Sequence, residues 1–315
     1  MPALPLADDL QQQAVDLVEL HGTLSKAAAV AGINRSTLKS RLLRARSNGV
    51  RPNVVKHQPE IFRKEKLGRS HMVIPDTQVK PEVPIDHLRW IANYALEMRP
   101  DVIVQVGDWA DMHSLSAYDK GKRCYEGRRY VRDIEAANTS LDLFEKTIED
   151  YNRTHPDDAY NPDKHLTYGN HEHRIIRATD LDAALHGKLT LDDLDFARRG
   201  WTTHPFLEVV TIDGVQYSHY FISGSLGRPV SSAAALLKVR GGSATMGHVQ
   251  RFDVGVHPQT QRIGLFCGVC YQHNEEYLGP QGNEAPRQII MKHEVKDGRY
   301  DLMAVSLNFL RKRYS

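Results

Sequence analysis

The residues of this chain best equipped for chemistry fall in five short segments: Asp76-Thr77-Gln78, Gly107-Asp108-Trp109-Ala110-Asp111, Gly169-Asn170-His171-Glu172, His219, and Gly247-His248-Val249-Gln250. Carboxylates, amide oxygens and imidazoles in this mixture are the donors of a divalent-cation site, with hard oxygens joined by nitrogen ligands. Taken singly, each segment has a plainer account. A lone Gly-Asp turn or Gly-Asn-His-Glu turn can simply cap a helix, and a lone His219 can be a packed strand residue. Taken together, each just after an apolar run, they describe one site.

The elements that must position them can be read from periodicity. His71-Met-Val-Ile runs into Asp76, residues 85–98 have helical spacing, Asp101-Val-Ile-Val-Gln-Val runs into Gly107-Asp108, and Lys164-His-Leu-Thr-Tyr runs into Gly169-Asn170. Oxygen donors therefore stand at the carboxyl ends of apolar strands, where open α/β sheets gather their ligands. Further on, residues 207–212 and 215–220 flank Asp213-Gly214 as a tight-turn hairpin, residues 232–238 form a short helix, and Ala244-Thr-Met leads into Gly247-His248. Residues 252–257 and 261–271 make a second hairpin.

In order and setting, the five segments resemble the calcineurin-like metallophosphoesterase superfamily, whose pattern is DxH, GDxxD, GNHE, a lone His and GHxH. The resemblance implies an α/β fold, a two-sheet β-sandwich flanked by helices, over residues 70–315. It also implies hydrolysis of a phosphoester by a metal-activated hydroxide between two divalent cations. Under it, Asp108 bridges both metals, and Asn170, His219 and His248 complete the second site. Asp76 holds the first site, with Gln78 and Gln250 where the family has histidines. His171 acts as general acid or steadies transition-state charge, and Asp111 orients it. A glutamine oxygen is a weaker and harder ligand than imidazole, so the first site leans toward Mn²⁺ or Mg²⁺. It is either a weak oxygen-rich site, one filled only with substrate, or an empty one beside a mononuclear centre; a non-catalytic scaffold is the fourth outcome.

The formal net charge of +2 over 315 residues hides an asymmetry, because residues 23–69 hold twelve Lys/Arg against Glu60 and Glu65. Such a one-ended excess suits a nucleic-acid-facing segment, with a solvated basic linker as the plainer account. Residues 9–21, 24–31 and 35–47 are amphipathic stretches, and their centre resembles the helix-turn-helix of resolvase-like and transcription-factor-like modules. Ala28 is small enough for a close helix crossing, Gly32 allows a left-handed turn, and Ile33 fills the gap between helices. Asn34 or Ser36 caps the third helix, which presents Arg35, Thr37, Lys39, Ser40, Arg41 and Arg44 as candidate DNA contacts. A dimerisation module is the alternative.

The expected organisation is thus a small all-α helix-turn-helix domain (1–48), a basic linker (49–69) and the phosphoesterase domain (70–315). Since one such head binds DNA weakly, either the chain forms a homo-oligomer or the second domain adds contacts. The insert 114–132 interleaves Lys120, Lys122, Arg123, Arg128 and Arg129 with Tyr118, Tyr125 and Tyr130, either a strand-binding surface or a basic helix start. Three cysteines cannot make a disulfide framework, and Cys267-Gly-Val-Cys270 sits in a strand-like run and reads as structural. With no apolar run near eighteen residues and no signal-peptide pattern, no membrane role is expected, and the reading is cytoplasmic, in a bacterial or phage-infected cell. The arrangement resembles phage or prophage metallophosphoesterases with a DNA-binding head, so DNA is the expected partner and a DNA nuclease the expected activity. A phosphatase on a phosphoprotein or small phosphoester, and a non-catalytic DNA-binding regulator, are the competing functions.

Overall fold

The computed structural model describes residues 8–52, 67–275 and 279–315, and most of the 49–69 linker lies outside them. The chain divides into two compact units, Met1–Glu65 and Lys66–Ser315.

The first unit holds three helices, α1 (Asp8–His21), α2 (Leu24–Ala31) and α3 (Arg35–Ser47). Local chemistry sets each boundary. Thr23 accepts from Lys26 N to start α2, Gly32 ends it at a φ of 63°, and Asn34 accepts from Ser36 N at 2.9 Å to start α3. Ala14, Ala27, Ala28 and Leu38 form the core between the helices, with Ile33 packed at its edge. Beyond α3, Val50 packs against Val15, Leu42 and Ala45, so the compact unit reaches past residue 48.

The second unit is mixed α/β. Its first sheet has six strands in the order β13-β12-β1-β2-β3-β4. These are β1 (Arg69–Ile74), β2 (Val102–Gln105), β3 (Asp163–Thr167), β4 (Thr202–His204), β12 (Gln288–Lys296) and β13 (Arg299–Ser306). Strands β1 to β4 run parallel, and β12 and β13 close one edge antiparallel. The second sheet runs β10-β11-β9-β6-β5, from β5 (Val210–Ile212), β6 (Val215–Tyr217), β9 (Ala244–Met246), β10 (Phe252–Val256) and β11 (Ile263–Cys267). Its centre, β6-β9-β11, is parallel, with an antiparallel hairpin on each side. A small ladder joins β7 (Ile222–Ser223) to β8 (Arg228–Pro229).

Side-chain alternation assigns the layers. Met72, Ile74 and Ile103 face one way, into a core with Leu88 and Ile91 of α4 (Asp86–Met98), Leu141 and Phe144 of α5 (Tyr130–Thr154), and Leu310 of α9 (Leu307–Tyr314). Val73, Val102 and Val104 face the other way, against Val215, Tyr217, Leu265 and Cys267 of the second sheet. The far side of that sheet packs Ala244, Met246 and Phe266 on Leu236 of α7 (Ala233–Arg240). Two short helices complete the unit, α6 (His173–Leu181) beside the first sheet and α8 (Gly279–Gly282) before β12. Each fully buried aliphatic side chain in these layers contributes roughly 1.5–3 kcal/mol, which makes the sandwich a rigid frame for the loops at its edge. Cys267 and Cys270 are buried free thiols, and burial pushes Cys267 up to about 12. Among the described residues no helix is long and apolar enough to cross a membrane.

Candidate metal centre

Every donor segment leaves the carboxyl end of a parallel strand. Asp76 follows β1, Gly107-Asp108 follows β2, Gly169-Asn170 follows β3, His219 follows β6 and His248 follows β9. Parallel strands bring these ends to one edge of each sheet, and the face-to-face packing of the sheets brings the two edges together. Ligand atoms of Asp108, His219 and His248 lie within 4.8 Å of one another, and this group could hold a metal ion.

Backbone crowding explains the glycines. A Cβ at Gly169 would overlap the Asp108 carboxylate, and one at Gly247 would overlap that of Asp76. The donors themselves carry strain, since Gln78, Asp108, His248 and Gln250 all adopt positive φ (41°, 56°, 64° and 57°). A non-glycine residue in this region costs on the order of 1 kcal/mol or more, and such positions concentrate at functional sites.

Glu172 had no role at the sequence level. The structure makes it the brace of the site, because its buried carboxylate accepts from Asp108 N (3.0 Å), Ala110 N (2.9 Å) and Gly169 N (2.8 Å). Bonds to a charged acceptor contribute roughly 1.5–3 kcal/mol each, enough to hold the strained turn. Asp108's carbonyl in turn accepts from Thr77 N (3.1 Å) and Gln78 N (2.8 Å), tying the first loop to the second. A Glu within a turn motif signals such a brace only when the neighbouring loop's N–H groups are known.

His219 is fixed from behind, its Nδ1 donating to Val106 O at 2.8 Å, which turns Nε2 toward Asn170 Oδ1 (2.8 Å) and Asp108 Oδ2 (3.4 Å). With Nδ1–H committed, three acceptor atoms face one another, and such a cluster needs a proton or a cation among them. Burial opposes the imidazolium, yet Asp108 and Asp76 outweigh it and push His219 up to about 9. His248 behaves oppositely. Burial, then repulsion from His219, pushes it down to about 4, leaving a neutral ring against Tyr220 at 4.6 Å between centroids.

Asp76 is fully buried, and desolvation pushes its carboxyl up to about 7, although His248 N donates to both of its oxygens at 3.1 Å. For Asp108 burial acts in the same direction but loses to the positive fields of His171 and His219, so its carboxyl falls below the usual range. Gln78 buries its Oε1 with no hydrogen-bond partner. Gln250, the other glutamine, receives the Tyr271 hydroxyl on its Oε1 at 3.4 Å.

His171 sits between two acids. Its backbone N–H donates to Asp108 Oδ1 at 3.0 Å and its Nε2 lies 3.7 Å from Asp108 Oδ2. Its Nδ1 stands 3.0 Å from Asp111 Oδ1, close enough for an ion pair though outside the angles of a directed hydrogen bond. Desolvation would lower His171, but Asp108 and Asp111 prevail and raise it. Asp111 is itself clamped, by Arg174 at 3.2 Å and Lys80 at 3.4 Å, and Lys80 also pairs with Glu275 at 2.7 Å. Lys80 and Glu275 carried no motif and emerge only from the fold. His113 pairs with Asp133 at 3.0 Å and His173 stacks on Phe206, while Arg177 is exposed.

In the first unit, Arg35, Thr37, Lys39, Ser40 and Arg44 are exposed along α3, Arg41 is half-buried, and Leu38, Leu42 and Ala45 are buried.

No protein-family model and no curated protein matches the chain. Chains of solved structures do match. One crystal structure aligns with 76% of this chain and 99% of its own length, at 12% identity and a TM-score of 0.34.

Proposed function

We propose that this chain is a metal-dependent phosphodiesterase of the calcineurin-like kind, a DNA nuclease positioned on DNA by a helix-turn-helix formed by α1 to α3. One observation carries the reading: acceptors of Asp108, Asn170 and His219, delivered by the ends of β2, β3 and β6, converge beside an acid-backed His171. The donor set fits divalent cations. A buried amide oxygen without a donor, as at Gln78, is costly alone and well placed beside a cation.

In this reading Asp108 would serve two cations, Asn170, His219 and His248 would hold one, and Asp76, Gln78 and Gln250 would hold the other, an oxygen-rich set that would favour Mn²⁺ or Mg²⁺. When bound, such cations supply charge neutralisation at the phosphoryl oxygens and acidify a water. The chain's own residues do the rest. His171 holds a proton on Nε2 for the leaving oxygen, and Asp111 keeps the ring oriented through Nδ1. Lys80 and Arg174 hold Asp111 in place.

The test compares wild type with an Asp108→Ala, His171→Ala double variant, with Mn²⁺, on single- and double-stranded DNA, bis(p-nitrophenyl) phosphate and p-nitrophenyl phosphate. Diester and DNA cleavage by the wild type alone is expected. Cleavage of only the monoester would make the protein a phosphatase, and silence of both proteins with every metal would leave a scaffold.

A further inference from the structure

Beside the candidate metal ligands lies a cleft of about 1040 Å³, far larger than one phosphoryl group. It begins at Asn170, His171 and His248, and its far wall is the insert 114–132. That wall is built, not loose. Tyr125 donates its hydroxyl to Ser114 O (2.7 Å), Arg128 donates to His113 O (3.1 Å) and Asp119 (2.8 Å), and Ser114 N donates to Asp133 (2.9 Å).

What the wall offers to the cleft is cationic. Arg129 donates only to the Arg128 carbonyl, at 2.9 Å, and has no carboxylate partner among the described residues. Lys122 and Arg132 do pair, with Asp119 (3.1 Å) and Glu82 (2.9 Å); the Arg132–Glu82 pair is largely exposed, and on the other pair Lys122 is exposed while Asp119 is held chiefly by Arg128. Such pairs contribute less than about 1 kcal/mol, so phosphates can replace the carboxylates. Tyr118, on the same wall, is 81% exposed.

We propose that the cleft is a subsite for single-stranded nucleic acid on the leaving-group side of the scissile bond. Arg129, Lys122 and Arg132 hold backbone phosphates, and Tyr118 stacks on an unpaired base. The inference rests on the phosphodiesterase reading, in which the proton donor His171 faces the leaving oxygen and so marks that side of the site. A substrate consisting of one phosphoryl group would use none of these cations, and a paired duplex would have no base face to give Tyr118.

The test uses the full chain with Lys122→Ala, Arg129→Ala and, separately, Tyr118→Ala. Cleavage of a single-stranded 12-mer should show KM raised roughly tenfold in each, with kinetics on bis(p-nitrophenyl) phosphate unchanged and Arg129→Lys largely restoring the double variant. In parallel, anisotropy of the labelled 12-mer is read with excess unlabelled duplex occupying the amino-terminal head; a similar loss of affinity is expected. Unchanged KM and affinity, equal losses on the small diester, or equal losses on duplex after Tyr118→Ala would overturn the subsite. Absence of cleavage of any substrate by wild type would sink the nuclease reading, and the anisotropy would still decide the subsite.

Discussion

Gln78 and Gln250 stand where a histidine would give a firmer ligand, and the structure gives them different surroundings. Gln78 buries a carbonyl oxygen without a donor, whereas Gln250 meets the Tyr271 hydroxyl. Both hold a positive φ, so backbone strain is spent on aiming two neutral amides. If these oxygens form a weak cation site, replacing both with imidazole should strengthen it. A Gln78→His, Gln250→His variant dialysed against Mn²⁺ or Zn²⁺ is expected to carry bound metal rising toward about two ions per chain, read by elemental analysis. A metal content equal to that of wild type would remove the glutamines from the site. At this scale Asp108, His219 and His248, which the fold brings together, were legible because each is a carboxylate or imidazole at a turn. Glu172, Lys80 and Glu275 were not, because their roles are hydrogen bonds and ion pairs to residues distant in sequence.

Strand β12 shows how an element can carry a charge through the core. Its Lys292 lies between the sheets, its Nζ 3.1 Å from the Tyr217 hydroxyl and over the rings of Tyr217 and Tyr300 at 4.4 and 4.6 Å. The Tyr217 hydroxyl also meets His71 Nδ1 at 2.7 Å, and His71 Nε2 reaches Asp213 at 2.8 Å. Burial pushes the Lys292 ammonium down to about 7 from 10.5. Between those pH values the unfolded chain binds the proton that the folded chain has released, so stability rises with pH across that window. Lys292→Met is therefore expected to stabilise the protein by up to a few kcal/mol near pH 7, with the gap closing toward pH 10, as urea unfolding at each pH would read. A gap independent of pH would show that the lysine is charged and compensated throughout. Elements themselves were largely legible, since β1 ends in Met72-Val73-Ile74, β2 begins Val102-Ile103-Val104 and α4 has buried residues at helical spacing. The antiparallel strands β12 and β13 are not legible in local sequence, because pairing β12 beside β1 joins residues more than two hundred positions apart.

The whole molecule joins a basic three-helix unit to a mixed α/β unit, and the charge asymmetry between them is the feature that belongs to neither site alone. On α3, Arg35, Lys39 and Arg44 are exposed while Leu38, Leu42 and Ala45 are buried, so these cations are open to phosphates. If that face binds DNA, Arg35→Ala, Lys39→Ala, Arg44→Ala in the full chain should weaken binding and reduce the slope of log affinity against log salt by roughly 0.9 per removed contact. Fluorescence anisotropy across a salt series reads it, and an unaltered slope would assign these cations to solubility alone.

The sequence by itself determined the local facts: three helices in the first unit, the third capped at Asn34, and strands that run into turns bearing oxygen- and nitrogen-carrying side chains. These depend on side-chain periodicity and turn chemistry, which act over a few residues. Only the tertiary structure decided that the strand ends of two sheets meet and that Nε2 of His219 turns toward Asn170 and Asp108. It alone showed Glu172 bracing the strained Asp108 turn, and the insert 114–132 walling a cleft beside His171. Those facts follow from parallel strand direction and from packing two hydrophobic faces, interactions between segments that no local pattern encodes.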